Sequence, residues 1–338
     1  MESCWQFTEW GDDDLARRVQ QVAADVDASI RFAPSVSGDS LDWQQDPWHI
    51  LRTLATLGAV DLTAARTIEP HLDAITILTQ AGSPDLSAIG VTDDTVWGVY
   101  AAGGPGHGLV ATQTADGHFE LSGTKPWCSL GDRLDHALVT AAQDGHQRLF
   151  AVRLDPDHYT TEGPPWQAVG LPDLRTVTLR LDSAEAIPVG ESGWYLSRPG
   201  FAWGGIGVAA VWFGAAAALA GRLRDAAEKR EPDQVALVAI GHCDRALYAA
   251  LLALRHASDQ IAGGQVEGTA ASLLAARTRA VVVDAVEQVI TVVGHALGPA
   301  PLAYDPEHAR RVADLTLYIR QHHAERDLAA LGRMVVGG

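Results

Sequence analysis

The sequence predicts an α+β chain in three parts: a helical stretch over 1–90, a β-barrel-like stretch over 91–195 and a four-helix bundle over 196–338. Two observations carry this. Apolar residues recur at helical spacing up to about residue 81 and again from Gly200, whereas residues 95–190 alternate in short strands. That middle stretch also holds Pro105, Pro126, Pro156, Pro164, Pro165, Pro172 and Pro188, which exclude long helices there.

In chain order, Leu15, Val19, Val22 and Val26 predict a first helix from Asp12 to Ser29. Ala33-Pro-Ser-Val-Ser-Gly-Asp-Ser reads as a loop by composition. A second helix runs from Asp46 to Leu57, stopping at Gly58, and a third from Leu62 to Ala81 with Ile68, Leu72, Ile75 and Leu78 on its apolar face. Val110-Ala-Thr-Gln-Thr-Ala and His118-Phe-Glu-Leu-Ser read as strands joined at Ala115-Asp116-Gly117, an Asp-Gly hairpin signal. Another strand begins at Ala137. Phe201–Lys229 is Ala-rich and apolar nearly all round, so it is expected to be buried on most sides. Val235–Ala262, Gly268–Leu297 and Pro306–Val336 complete the helices. A helix as apolar as the one at 200–229 also predicts packing between subunits, as a homodimer, a homotetramer or a heteromeric assembly.

Composition narrows the partners. A formal charge of −17 disfavours nucleic acid and anionic bilayers. No uninterrupted apolar run reaches ~18 residues, so no membrane span is expected. The first residues lack a secretory pattern, which makes the cytoplasm the expected compartment. Cys4, Cys128 and Cys243 lack Cys-x-x-Cys spacing, which argues against a disulfide framework and a structural zinc. No metal is expected.

The chemistry centres on Leu121-Ser-Gly-Thr-Lys-Pro-Trp-Cys-Ser-Leu-Gly131. A Trp followed two residues later by Ser, at a strand end, offers a flat face and a hydroxyl on one side of the pleat. A flavin ring needs an aromatic wall and a short donor for its N5 or O4 edge, which Trp127 and Ser129 would supply. A barrel-core Trp with a surface Ser is the alternative.

This segment, followed by Asp135 and a hydrophobic strand, resembles the middle domain of the acyl-CoA dehydrogenase family. Gly170-Leu-Pro-Asp-Leu-Arg-Thr-Val-Thr-Leu, Ala186-Ile-Pro-Val-Gly-Glu and the helix opening at Arg198-Pro-Gly-Phe resemble later family segments. Val292-Val-Gly-His-Ala-Leu-Gly298 is similar to its C-terminal Gly-rich turn, which singles out Gly294 as a cofactor contact. The resemblance covers about residues 85–335. It implies that family's fold, FAD as cofactor, a CoA thioester or related small substrate, and Arg230 as what remains of an Arg that grips the FAD pyrophosphate across a dimer.

The sequence departs from the family where proton abstraction needs a carboxylate. The two family positions for that Glu fall on Arg320 or Gln321 and on Trp203 or Gly204. The loop that contacts substrate and cofactor is replaced by Tyr100-Ala-Ala-Gly-Gly-Pro-Gly-His-Gly108, where His107 stands in a glycine-rich run. His322 with Glu325, and His323 with Asp327, would each meet on one face of a continuous helix. His322, nearest the vacated position, is the candidate base with Glu325 as its partner; a solvated polar stripe is the alternative. Trp194, Trp203 and Trp212 cluster at the start of the apolar helix, where bulk at Trp203 and Trp212 would shorten an acyl pocket. The expected activity is a flavin-dependent oxidoreductase of acyl-CoA dehydrogenase type. The alternatives are a flavin monooxygenase on the same fold and a non-catalytic subunit of a heteromeric flavoprotein.

Overall fold

The computed structural model describes residues 7–37, 42–104, 106, 108–264 and 266–337. Cys4 and His107 lie outside them. Helices α1 (Asp13–Gln20), α2 (Val26–Ser37), α3 (Pro47–Val60) and α4 (Leu62–Gln80) come first. Strands β1 (Trp97–Tyr100), β2 (Leu109–Gln113), β3 (Phe119–Ser129), β4 (His136–Gln143), β5 (His146–Arg153), β6 (Tyr159–Glu162) and β7 (Thr176–Val189) follow. The chain returns to helices α5 (Trp194–Ser197), α6 (Pro199–Lys229), α7 (Gln234–Ala262), α8 (Gly268–Leu297), α9 (Ala300–Tyr304), α10 (Pro306–Tyr318) and α11 (Glu325–Val336).

The strands close on themselves. β4 pairs in turn with β2, β3 follows β2, β7 follows β3, and β5 joins β7 back to β4, which makes a five-stranded barrel. β1 runs parallel along the first half of β4 and β6 lies on β7, both outside that ring. Leu121, Val139, Phe150 and Leu179 fill the barrel. Helices from both ends of the chain share one core, in which Leu54 and Leu57 of α3 pack with Val211 and Phe213 of α6. A third cluster, including Ile77, Trp97 and Leu149, seals α4 against the barrel.

Several boundaries differ from expectation. The first helix is two: the chain turns after Gln20, with Ala24 in the left-handed region (φ 62°). The expected loop at Ala33–Ser40 is helical as far as Ser37, through Pro34, because Ala33 and Val36 are buried in the shared core. Gly58 does not stop α3; it sits within it, and a Cβ there would overlap the Val211 carbonyl of α6. The segment around Gly294 is not a turn but the last part of α8, which ends only at Gly298 (φ 68°). The expected last helix, 306–336, breaks at residues 319–324.

By length and hydropathy α6, α7 and α8 could each cross a membrane, contrary to the sequence expectation, because Ala, Val and Leu dominate windows with few charges. The apolar window of α6 is 78% buried within the protein, but that of α7 is only 28% buried.

Candidate active site

Between the barrel mouth, α4 and the end of α10 lies a cleft of about 690 Å³, within the range of small-molecule sites. Its barrel wall carries Tyr100, Trp127, Ser129 and Thr176. A β-bulge between Lys125 and Cys128 re-aims the strand. Trp127 takes a left-handed backbone (φ 62°) and is 65% exposed. A bulky residue held there is strained by about 1–3 kcal/mol, a mark of functional placement. Gly123, at φ 119°, makes the bulged strand possible, since a Cβ would overlap the Gly108 carbonyl.

Ser129 shares a hydrogen bond with Thr176 through their hydroxyls (3.0 Å), and its carbonyl accepts from the Tyr100 hydroxyl (3.0 Å). The Ser129 hydroxyl is therefore oriented rather than free. Below the strand, Lys125 donates to the Thr140 carbonyl and hydroxyl (3.0 and 2.7 Å) inside the barrel. Burial lowers its pKa to about 8. Lys125 thus ties β3 to β4 and does not face the cleft.

The opposite wall is helical. Arg66 of α4 and Tyr318 of α10 stand together, the guanidinium 5.7 Å from the ring centre. Arg320, Gln321 and His323 follow Tyr318 into the cleft, and Trp166, donating to the Leu171 carbonyl (3.1 Å), closes one side. The loop carrying Trp166 is fixed to α10 where the Leu171 N–H donates to the Asp314 carboxylate (2.5 Å). Burial raises the Asp314 pKa to about 6. Among the described residues no carboxylate lines this cleft.

Behind Tyr318 lies a second cavity of about 490 Å³, bordered by Asp73, Arg198, Gly204, Arg279, His322 and Asp327. Arg279 forms part of the partition. It donates to the Gly205 carbonyl (2.8 Å) and the Gln321 carbonyl (3.3 Å), with its guanidinium over Trp212 (4.8 Å). Trp212 meets Tyr318 edge-on at 6.0 Å. Both segments that would carry a family-type base are therefore cross-braced by one arginine, and neither offers a carboxylate.

The pairing of His322 with Glu325 on one helical face does not form. The chain leaves α10 through a 3-10 turn, passes the left-handed Ala324 (φ 46°) and restarts at Glu325, so helical spacing does not apply across 322–325. Glu325 is exposed. His322 is buried, its Nε2 3.9 Å from Asp327, its Nδ1 without a partner, and burial lowers its pKa. His323 does meet Asp327, at 3.5 Å. The two histidines face opposite sides: His323 borders the cleft and His322 the second cavity.

Arg230, exposed at the end of α6, borders a separate hollow of about 220 Å³ that the end of α8 also lines, and Gly294 is helical. Neither touches the Trp127 cleft within one chain. Trp203 is buried beside Trp43 (6.3 Å) and Trp212 is fully buried, so both serve the core.

Sequence reading passed over Arg66 and Glu69. Their trace was visible as an i, i+3 charge pair within α4.

This helix–barrel–helix arrangement is similar to the fold of solved flavoproteins of acyl-CoA dehydrogenase type. Butyryl-CoA dehydrogenase from Megasphaera elsdenii superposes with a TM-score of 0.80 at 17% identity, covering 99% of each chain. KijD3, solved with FMN and dTDP-3-amino-2,3,6-trideoxy-4-keto-3-methyl-D-glucose, gives 0.78 at 17% identity over 96% of this chain and 91% of its own. FMN-bound TdsC from Paenibacillus sp. A11-2, described as a dibenzothiophene monooxygenase, gives 0.77 at 15% identity over 96% of each. No family model matches the chain, and no curated protein matches it in sequence.

Proposed function

We propose that the protein is a flavin-dependent oxidoreductase that oxygenates a small molecule rather than desaturating an acyl-CoA. The observation that carries the flavin reading is Trp127, strained, exposed and directed into a cleft of about 690 Å³. The residues present fit a flavin. Trp127 would cover one face of the ring. Ser129 and Thr176 would offer hydroxyls to its edge, and Arg66 or Arg320 would face its oxygens or phosphate. A bound flavin supplies hydride acceptance and, once reduced, dioxygen chemistry. The chain's own part would be to wall the ring with Trp127, exclude water with Trp166 and Tyr318, and present basic rather than acidic groups.

That last feature favours oxygenation. Removing the α-proton of a thioester requires a base, and a positioned carboxylate contributes ~10²–10⁴ in rate. Arg66, Arg320 and His323 line the cleft instead, and the Glu69 carboxyl, which does not line it, pairs with Arg66. TdsC and KijD3 support this reading as flavin-binding neighbours of the same fold. The FAD expectation came from the family resemblance, which assigned Arg230 and Gly294 as cofactor contacts beyond the ring. Because both lie away from the cleft, an adenylate half would depend on a partner chain, whereas FMN would need only the cleft.

The test is to titrate the protein with FMN and FAD by tryptophan fluorescence, then to add butyryl-CoA to the complex under nitrogen. Saturable flavin binding with no bleaching by butyryl-CoA is expected. Failure of both flavins to bind removes the flavin reading; prompt bleaching returns the enzyme to the dehydrogenases.

A further inference from the structure

We infer that Glu69 sets the charge that Arg66 presents to the cleft, making Arg66 a switchable cation and Glu69 its positioning residue. The inference rests on the flavin reading for its ligand, but not for its geometry. Arg66 and Glu69 lie one turn apart on α4, Nη1 to Oε2 3.2 Å, with side chains only 19% and 12% exposed. Arg66 borders the cleft and Glu69 does not, so the carboxyl acts through the guanidinium.

The groups facing Glu69 come from several elements. α4 itself supplies Arg66 and Asp73, α8 supplies Arg279, and α10 supplies Tyr318. Tyr195 of α5 and Arg198 lie beyond Asp73, with Arg198 3.7 Å from its carboxylate and 5.2 Å from the Tyr195 ring. Asp73 repels an ionised Glu69, and its own carboxyl is raised by burial. Arg279 is occupied by two backbone carbonyls on the far side of Tyr318. Among the described residues, Arg66 is thus the cation that both contacts Glu69 and reaches the cleft. Burial outweighs the attraction of Arg66 and holds the Glu69 pKa at about 7.

The consequence has a definite sign. Below pH 7 the carboxyl takes up a proton from solvent, and Arg66 presents an uncompensated positive charge to the cleft. Above it, the carboxylate neutralises Arg66. An anionic ligand such as FMN is then held more tightly at low pH.

The experiment measures the FMN dissociation constant by tryptophan fluorescence from pH 5.5 to 8.5 for wild type, Glu69→Gln and Glu69→Asp. In parallel, carboxyl-carbon NMR of protein labelled at glutamate follows the residue directly. Wild-type affinity should fall about fivefold between pH 6 and 8, the part of the roughly tenfold factor for one unit of linked pKa change that falls in this range. Glu69→Gln should hold the tight value throughout, apart from any change due to the FMN phosphate itself. Glu69→Asp should restore the fall. A glutamate resonance titrating near pH 7 should vanish in Glu69→Gln. Parallel FMN profiles in wild type and Glu69→Gln would overturn the inference, as would a Glu69 resonance titrating below about pH 5. If no flavin binds at any pH while that resonance titrates near 7, the flavin reading fails and the Arg66–Glu69 switch stands for another anion.

Discussion

At the scale of the residue, Trp127 combines two opposing contributions. Its left-handed backbone is strained, yet its ring is spent on an open cleft rather than on the core. Replacing it separates the two. Trp127→Ala should weaken flavin binding by about 1–3 kcal/mol, by analogy with measured base–aromatic stacking. Trp127→Gly should lose the same binding but relieve the backbone, so it should melt above Trp127→Ala. Thermal melts and flavin titrations of the pair check this; equal melting temperatures would show that the bulge carries no strain. Glu69 makes a second case. Burial lifts its pKa from 4.5 to about 7, so the folded state retains a proton that the unfolded chain has already released. Its contribution to stability is fully present below about pH 4.5 and is lost as pH rises through about 7. Glu69→Gln stays neutral and should flatten the fall in stability between pH 5 and 7.5. The expected difference between wild type and variant is on the order of a few kcal/mol by urea denaturation.

At the scale of the element, close backbone contacts decide where helices run. Gly214 of α6 faces the Ala55 carbonyl of α3, and Gly58 of α3 faces the Val211 carbonyl of α6; a Cβ at either would overlap the opposing backbone. Gly214→Ala should therefore destabilise by ~1–3 kcal/mol or more, the cost of overpacking, measurable as a lower denaturation midpoint. The same contact explains why Gly58 misled the sequence reading. A glycine after an apolar run reads as a stop, and only the neighbouring helix shows that it is a place of close approach. The long elements α4, α7 and α8 were legible because their period persists over many residues, and α6 because it is Ala-rich and apolar nearly all round. Trp127 and Ser129, singled out by motif order, both line the cleft, although the bulge that aims Trp127 was not legible in strand alternation. The Arg66–Glu69 pair was not, since its meaning depends on Tyr318 and Arg279 arriving from 200 or more residues away. The break at 319–324 escaped for a related reason: Ala324 adopts a left-handed backbone that its residue type does not announce.

At the scale of the whole molecule, the unsatisfied surface is not where the sequence placed it. α6, the helix expected to seek partner subunits, is largely covered by its own chain. The uncovered face belongs to α7, where Val235 is 76% exposed and Leu237, Val238, Tyr248 and Leu252 are each about half exposed. α8 adds Val281 beside it. An apolar face of this extent marks an interaction surface. Gly241 and Ala249, also exposed, leave it flat enough for a second helix pair to approach. With a net charge of −17, an anionic bilayer is a poor cover for it. A second copy of the chain fits better, because a two-fold axis would set α7 and α8 of each protomer against one another and bury the same residues twice. We therefore expect a dimer or larger species in light scattering at micromolar concentration. Val238→Glu combined with Leu252→Glu should shift it towards monomer, since each introduced charge would be buried without a partner. The cleft lies at the other face of the bundle, against the barrel and α10, so the monomeric variant also tests the cofactor. If it keeps its affinity for FMN but binds FAD more weakly than the wild type does, the partner chain supplies the adenylate contact, and Arg230 is the residue to replace next. A wild type that is monomeric at these concentrations would leave α7 without the partner its surface calls for and would refute the assembly.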